Sequence, residues 1–213
     1  MISVKWLGHA SFEIGTGNRI VFVDPYEGEY SDRADLVLMT HSHSDHCDPS
    51  KIDRIQKPDT LFVAPADCAS KIGHAVTSLK PGETLSVGEI KVQAVEAHNT
   101  KSFRSPGVPF HPKGLGVGYL VSVGGKTIYH AGDTDFIPEM RSLRGIHLAL
   151  LPVGGTYTMD SSEAAEATLA IGPEYVIPMH RREARLEVFK KTVEANSKTK
   201  VIVLKSGETF QVG

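Results

Sequence analysis

The sequence predicts an α/β protein, and two observations carry that prediction. Short apolar segments separated by glycine-bearing turns fill the first part of the 213-residue chain, as strands do. From His147 onward such segments alternate with longer stretches of helical pattern. Taken in order, strands are expected at Ile2–Leu7, Ser11–Ile14 and Arg19–Val23, with Gly15-Thr16-Gly17-Asn18 as the turn between the last two. Asp35-Leu36-Val37-Leu38-Met39-Thr40 reads as a buried strand, because its apolar run is unbroken. Asp48-Pro49-Ser50 has the form of a helix start, an aspartate cap followed by proline at the first helical position. Leu61–Ala64 is a further strand and Pro65–Ile72 a helix. Thr84–Val87 and Ile90–Val95 form a hairpin across Gly88-Glu89, and Gly116–Val123 and Thr127–His130 another across Gly124-Gly125. His147–Val153 is an apolar strand, Ser161–Ile171 an alanine-rich helix, Tyr175–Met179 a strand and Glu183–Asn196 an amphipathic helix. Lys200–Leu204 and Glu208–Val212 finish the chain as strands around Ser206-Gly207. With no linker or low-complexity segment, residues 1–213 are expected to form a single domain.

Composition narrows the class. Hydrophobic residues make up 40% and charged residues 23%, ordinary values for a globular protein. No apolar run is long enough to span a bilayer, and Met1–Gly8 lacks a signal-peptide pattern, so no membrane partner is expected. Two cysteines, Cys47 and Cys68, are too few for a disulfide framework and suit a reducing, cytoplasmic setting. A net charge of −2 argues against nucleic acid, which demands a basic footprint. The short clusters Arg181-Arg182 and Lys190-Lys191 read as solvated helix faces. A small-molecule partner, with an anionic one allowed, is the expectation, and a homo-oligomer is left open.

The chemistry concentrates in His41-Ser42-His43-Ser44-Asp45-His46, four potential metal ligands directly after an apolar strand. On a strand, alternate side chains face the same way, so His41 and His43 converge on one point. Asp45 and His46 lie where the chain leaves the sheet and face a second point nearby. Strand end, ligand-rich loop and helix start together make a platform for two adjacent metal ions.

His41-x-His43-x-Asp45-His46 resembles the signature of the metallo-β-lactamase superfamily. The resemblance implies a four-layer αββα sandwich with two metals at one edge of its two sheets. It also implies further ligands in fixed order, each at a strand end, and the matches run from residue 9 to residue 180. His98 closes Glu89–His98, Asp133 lies in Thr127–Thr134, and His180 closes Glu174–His180. By this resemblance His41, His43 and His98 form the first metal site and Asp45, His46 and His180 the second. Asp133 then bridges the ions, with a water or hydroxide as the other bridge. Nitrogen and oxygen ligands suit zinc and also permit manganese, nickel or iron. Cys47 beside His46 is read as a small packed residue rather than a ligand.

The implied activity is hydrolysis of a small ester, lactone or phosphodiester. Two ions about 3.5–4 Å apart lower the pKa of a shared water from 15.7 to roughly 7. Asp45 would orient this nucleophile and pass a proton to the leaving group. A non-hydrolytic metal-binding or redox protein is the alternative. It is disfavoured because flavodiiron proteins of this superfamily typically carry Glu where this chain has His43. A nuclease is the other alternative, but the chain lacks room for the inserted domain of the large nucleases.

Around the core motif, Asp24 ends Ile20–Asp24 and resembles an acidic residue that braces the metal histidines, though Asp-Pro is also a common turn start. Gly8-His9-Ala10 resembles the start of a compact subgroup. That subgroup includes an ascorbate-6-phosphate lactonase and the phospholipase D that releases N-acylethanolamines. It places His9 at the rim of the site, against the reading of an ordinary turn histidine. Asn99–Gly114 is a long loop following a candidate ligand, and such loops are functional or mobile. There His111 is a candidate catalytic and substrate-binding residue through an oxyanion, while Arg104 and Lys113 are candidates for a carboxylate or phosphate. A solvated loop is the alternative. His74, His130 and His147 match no motif position and are taken as structural.

Overall fold

The computed structural model describes residues 1–182 and 184–213. Its strands are β1 (Ile2–Gly8), β2 (Ser11–Gly15), β3 (Ile20–Val23), β4 (Leu36–Leu38), β5 (Leu61–Val63), β6 (Thr84–Val87), β7 (Ile90–Ala97), β8 (Phe103–Ser105), β9 (Val108–Pro109), β10 (Gly116–Val123), β11 (Lys126–His130), β12 (Leu148–Pro152), β13 (Tyr175–Met179), β14 (Lys200–Val201) and β15 (Thr209–Val212). Its helices are α1 (Pro49–Ile55), α2 (Cys68–Ile72), α3 (Ser161–Ile171) and α4 (Leu186–Asn196), with a 3-10 turn at Pro138–Ser142. The first sheet runs β15-β1-β2-β3-β4-β5 and the second β14-β13-β12-β11-β10-β7-β6, while β8 and β9 pair as a separate ribbon.

Alternation of side chains explains the layers. In β4, Leu36 and Leu38 join the core between the sheets, while Val37 turns outward with Met39 onto Ile52 and Ile55 of α1 and Cys68 and Ile72 of α2. In β12, Leu148 and Leu150 face inward and Ala149 and Leu151 face Ala164, Ala165 and Ala167 of α3 and Phe189 and Val193 of α4. Strands covered on both faces read as unbroken apolar runs, and these two lie in the parallel parts of their sheets. The result is the expected αββα sandwich.

Local chemistry sets the ends of the elements. Asp48 accepts a hydrogen bond from the Ser50 amide at 2.9 Å with Pro49 at the first turn, which starts α1 where the sequence places it. Asp160 caps α3 in the same way, accepting from the Ser162 and Glu163 amides. Gly124 and Gly125, with φ of 56° and 76°, form the two-residue turn between β10 and β11, a conformation that side chains resist.

Three segments differ from the sequence reading. Asn99–Gly114 is not irregular throughout, since it contains the β8-β9 ribbon. The helix expected over 183–196 starts at Leu186, because Arg182 is left-handed with φ of 41°; Glu183 lies outside the described residues. The last two strands belong to different sheets, β14 pairing with β13 and β15 with β1. Among the described residues, no helix is long and apolar enough to cross a membrane.

Tyr119 of β10 ties the two sheets together, its hydroxyl donating to the Met39 carbonyl at 3.0 Å in a fully buried setting. Burial pushes its phenol well above the ordinary value, so it stays a donor. Tyr119→Phe deprives that buried carbonyl of its donor. The variant is expected to lose about 1–3 kcal/mol of unfolding free energy, measured by urea denaturation.

Candidate metal centre

The ends of β1, β4, β11 and β13 and the loop after β9 bring histidines and aspartates together at one edge of the sandwich. Three groups converge: His9, Asp45, His46 and His180; His41, His43 and His111; and His41, His46 and Asp133. Asp133 is central. Its Oδ1 lies 3.3 Å from His46 Nε2, and its Oδ2 lies 3.3 Å from both His111 Nε2 and His180 Nε2. His43 Nδ1 lies 3.1 Å from His41 Nε2 and 3.2 Å from His111 Nε2. Asp45 Oδ2 lies 3.3 Å from His9 Nε2.

The backbone is bent to make this approach. The described non-glycine residues with positive φ are His9 (46°), Asp24 (47°), His180 (48°) and Arg182 (41°), all at or beside the centre. Such conformations cost of order 1–3 kcal/mol each and cluster where function over-determines the geometry. The His180 amide donates to the His9 carbonyl at 2.9 Å, which joins the two bends across the sandwich. Gly116 opens β10 against the motif loop, where a Cβ would stand 2.8 Å from His41 Cβ.

Outer hydrogen bonds decide which ring nitrogens face inward. Asp24 is fully buried and accepts from the Thr40 amide, the Thr40 hydroxyl and His46 Nδ1, each at 2.7 Å. With its own proton given to Asp24, the Thr40 oxygen accepts from His41 Nδ1 at 3.0 Å. Asn99 Oδ1 accepts from the His111 amide at 2.7 Å and from His111 Nδ1 at 3.0 Å. Nδ1 of His41, His46 and His111 therefore carries the proton, and the neutral rings present Nε2 lone pairs to the centre. His46 Nε2 and Asp133 Oδ1 are buried and face one another without a hydrogen bond. A cation shared between nitrogen and carboxylate, a proton or a metal ion, satisfies such a pair, so the residues fit a metal site.

Electrostatics agree. Burial drives His41 well below the usual imidazole value, helped by His46. Burial lowers His43 and His111 as well, with the Asp45 carboxylate opposing for His43 and Asp133 for His111. Burial would raise Asp133, but His46 and His180 hold it well below the carboxylate range. Burial would lower His46, yet the Asp133 and Asp24 carboxylates raise it well above its usual value when no cation competes. Burial would raise Asp45, but His9 and His46 outweigh it and keep the carboxyl low.

Of the residues expected from sequence, His41, His43, Asp45, His46, Asp133 and His180 come together, with His9 and Asp24 beside them. His98 does not join them. Its amide and carbonyl are bound to the Thr134 hydroxyl at 3.1 and 3.0 Å, its Nδ1 is buried without a partner, and it belongs to none of the convergent groups. His111, expected to meet substrate, is the residue that converges with His41 and His43. Lys113 is not among the residues that line the cleft, and it pairs with Glu96 and Glu139. Arg104 does line the cleft over the centre, a space of about 390 Å³ bounded also by His43, Phe110, Tyr157 and Arg182. Arg182, Phe110 and Tyr157 were missed, although Arg182 lies only two residues past His180 at a strand end. Cys47 is packed and buried beside Cys68, and His130 is structural, its Nε2 lying 2.9 Å from the Ala10 carbonyl.

An αββα sandwich with histidines and aspartates converging at one edge of both sheets defines a metallo-β-lactamase fold protein. The model for the beta-lactamase superfamily domain matches residues 3–180, and the chain belongs to that superfamily. Within it, the chain is a member of the UPF0173 metal-dependent hydrolase family. The relative from Pyrococcus abyssi is 36% identical over 100% of both chains. The relative from Methanoculleus marisnigri is 32% identical over 99% of this chain and 96% of its own. Among solved structures, a metal-dependent hydrolase from Parabacteroides distasonis superposes with a TM-score of 0.89 at 32% identity, covering 97% of this chain and 94% of that one. Igni18, a metallo hydrolase from Ignicoccus hospitalis, superposes with a TM-score of 0.80 at 27% identity, covering 99% and 98%.

Asp24→Ala strips the Thr40 and His46 partners of their shared acceptor. Breaking a buried pair in this way is expected to destabilise the protein by about 3–5 kcal/mol in chemical denaturation.

Proposed function

We propose that the chain is a dinuclear hydrolase that cleaves an ester, lactone or phosphodiester bond in a small molecule. The observation that carries this reading is Asp133, whose carboxylate touches members of both histidine groups and so would stand between two cation positions. His41, His43 and His111 would hold one ion, and Asp45, His46 and His180 the other, with His9 against Asp45. The nitrogen and oxygen donor set suits zinc. When bound, such ions supply acidity, bringing water to deprotonation near neutral pH and polarising the oxygen of the bond under attack.

The chain's own groups do the rest. Asp45 borders the cleft as an ionised carboxylate steadied by His9, placed to accept a proton from the attacking water and return it to the leaving oxygen. Asn99 keeps the proton of His111 on Nδ1, so that Nε2 is held toward Asp133. A cleft of about 390 Å³ suits a small molecule rather than a polymer. The net charge of −2 favours the same choice over a nuclease.

Two divalent ions per chain are expected by elemental analysis of zinc-loaded protein. His111→Ala is expected to retain one, whereas His98→Ala retains both; the reverse pattern would return the ligand role to His98. Zinc- and manganese-loaded protein should turn over one class among sugar lactones, aryl esters and bis-aryl phosphodiesters. Asp45→Ala should lose about 10²–10⁴-fold in kcat while keeping the ion held by His41, His43 and His111. Full activity in that variant would sink the hydrolytic role of Asp45.

A further inference from the structure

Two arginines from separate segments border the cleft, Arg104 on β8 and Arg182 just after β13. Each is stacked on an aromatic ring. The Arg104 guanidinium carbon lies 5.6 Å from the Phe110 centroid, and that of Arg182 lies 4.5 Å from the Tyr157 centroid. The two rings meet edge to face at 4.6 Å, so one aromatic pair supports both cations. Among the described residues neither arginine is paired with a carboxylate. Other cations on this chain are so paired: Lys57 with Asp35, Lys101 with Glu163 and Lys113 with Glu96 and Glu139.

Stacking leaves the edge of a guanidinium, which carries its N–H fork, open to an acceptor. That fork matches the oxygens of a carboxylate or a phosphate in bidentate fashion. The backbone has been bent to aim one of them. His180 and Arg182 are both left-handed, and Arg181 between them is half-buried against Trp6, its guanidinium carbon 3.9 Å from the ring centroid, and donates to the Pro178 and Leu204 carbonyls. Arg181 thus pins the turn while its two neighbours both border the cleft.

We propose that Arg104 and Arg182 clamp an anionic group of the substrate, a carboxylate or a phosphate monoester separate from the bond that is cleaved. This assignment rests on the reading of the cleft as the reaction site, and it makes the substrate an acid or phosphorylated small molecule. The aromatic pair beneath the clamp gives the substrate body an apolar floor beside the histidines.

Calorimetric titration of zinc-loaded protein tests it, with succinate as the carboxylate probe, glycerol 3-phosphate as the phosphate probe and glycerol as the neutral control. At least one anion should bind and glycerol should not, and the tighter anion identifies the group recognised. Arg104→Gln and Arg182→Gln should each weaken that anion about tenfold or more with zinc content unchanged. Arg→Lys at either position should restore binding only in part, because the charge returns without the fork. Binding of neither anion, or binding that both glutamine variants leave unchanged, overturns the clamp. Asp45→Ala turnover is read in parallel. Its loss with unaltered anion binding in the arginine variants removes the clamp and keeps the hydrolase, and full turnover with arginine-dependent binding does the opposite.

Discussion

The Asp24 carboxylate, fully buried at the end of β3, governs the direction of the metal-facing nitrogens. Its oxygens accept from the Thr40 amide, the Thr40 hydroxyl and His46 Nδ1. His46 donates directly, and His41 is set one step removed, through a Thr40 hydroxyl whose proton is already committed. One acceptor thereby orients two imidazoles from a loop that would otherwise sample several tautomers and rotamers. The left-handed backbone of Asp24 is part of the same arrangement, since an extended residue there would continue β3 instead of turning the carboxylate under the motif loop. The strand pairing of β3 with β4 holds acceptor and loop in register.

A second buried carboxylate plays the matching part on the other sheet. Asp135 is fully buried and accepts from the amides of Thr100, Lys101 and Ser102, the Ser102 hydroxyl and the Asn99 side chain. Asn99 passes this constraint to His111 through its oxygen. The two halves of the centre thus rely on the same device, a buried aspartate whose oxygens accept from several donors around it. Between them the sheets supply apolar burial but little direction, and the direction of the ligands comes from these polar contacts.

What could be read from the sequence was what short-range pattern determines. The Asp35–Thr40 run, the spacing of His41, His43, Asp45 and His46, and the Asp48-Pro49 cap each depend on neighbours a few residues apart. That His111 converges with His41 and His43 was not legible, because it depends on Asp135 gathering a loop more than thirty residues upstream. The pairing of Lys113 was not legible either, because Glu96 and Glu139 come from two distant elements that meet only in the folded state. Arg181 and Arg182 look alike as a basic pair, yet a left-handed turn sets one against Trp6 and leaves the other at the cleft. Solvated helix face was the wrong reading for both. Neither residue lies on a helix.

The way Asp135 holds its loop has an evolutionary corollary. Three of its bonds are to main-chain amides, which every residue but proline can offer, so the attachment is indifferent to the side chains at positions 100–102. The β8-β9 ribbon beyond can be exchanged, lengthened or recharged while Asn99 still presents His111 to the histidine cluster. Ligand geometry and ligand choice are thereby uncoupled within one connecting segment. A scaffold built this way can acquire a new preference by altering the ribbon alone, with no intermediate in which the metal-facing histidines are lost.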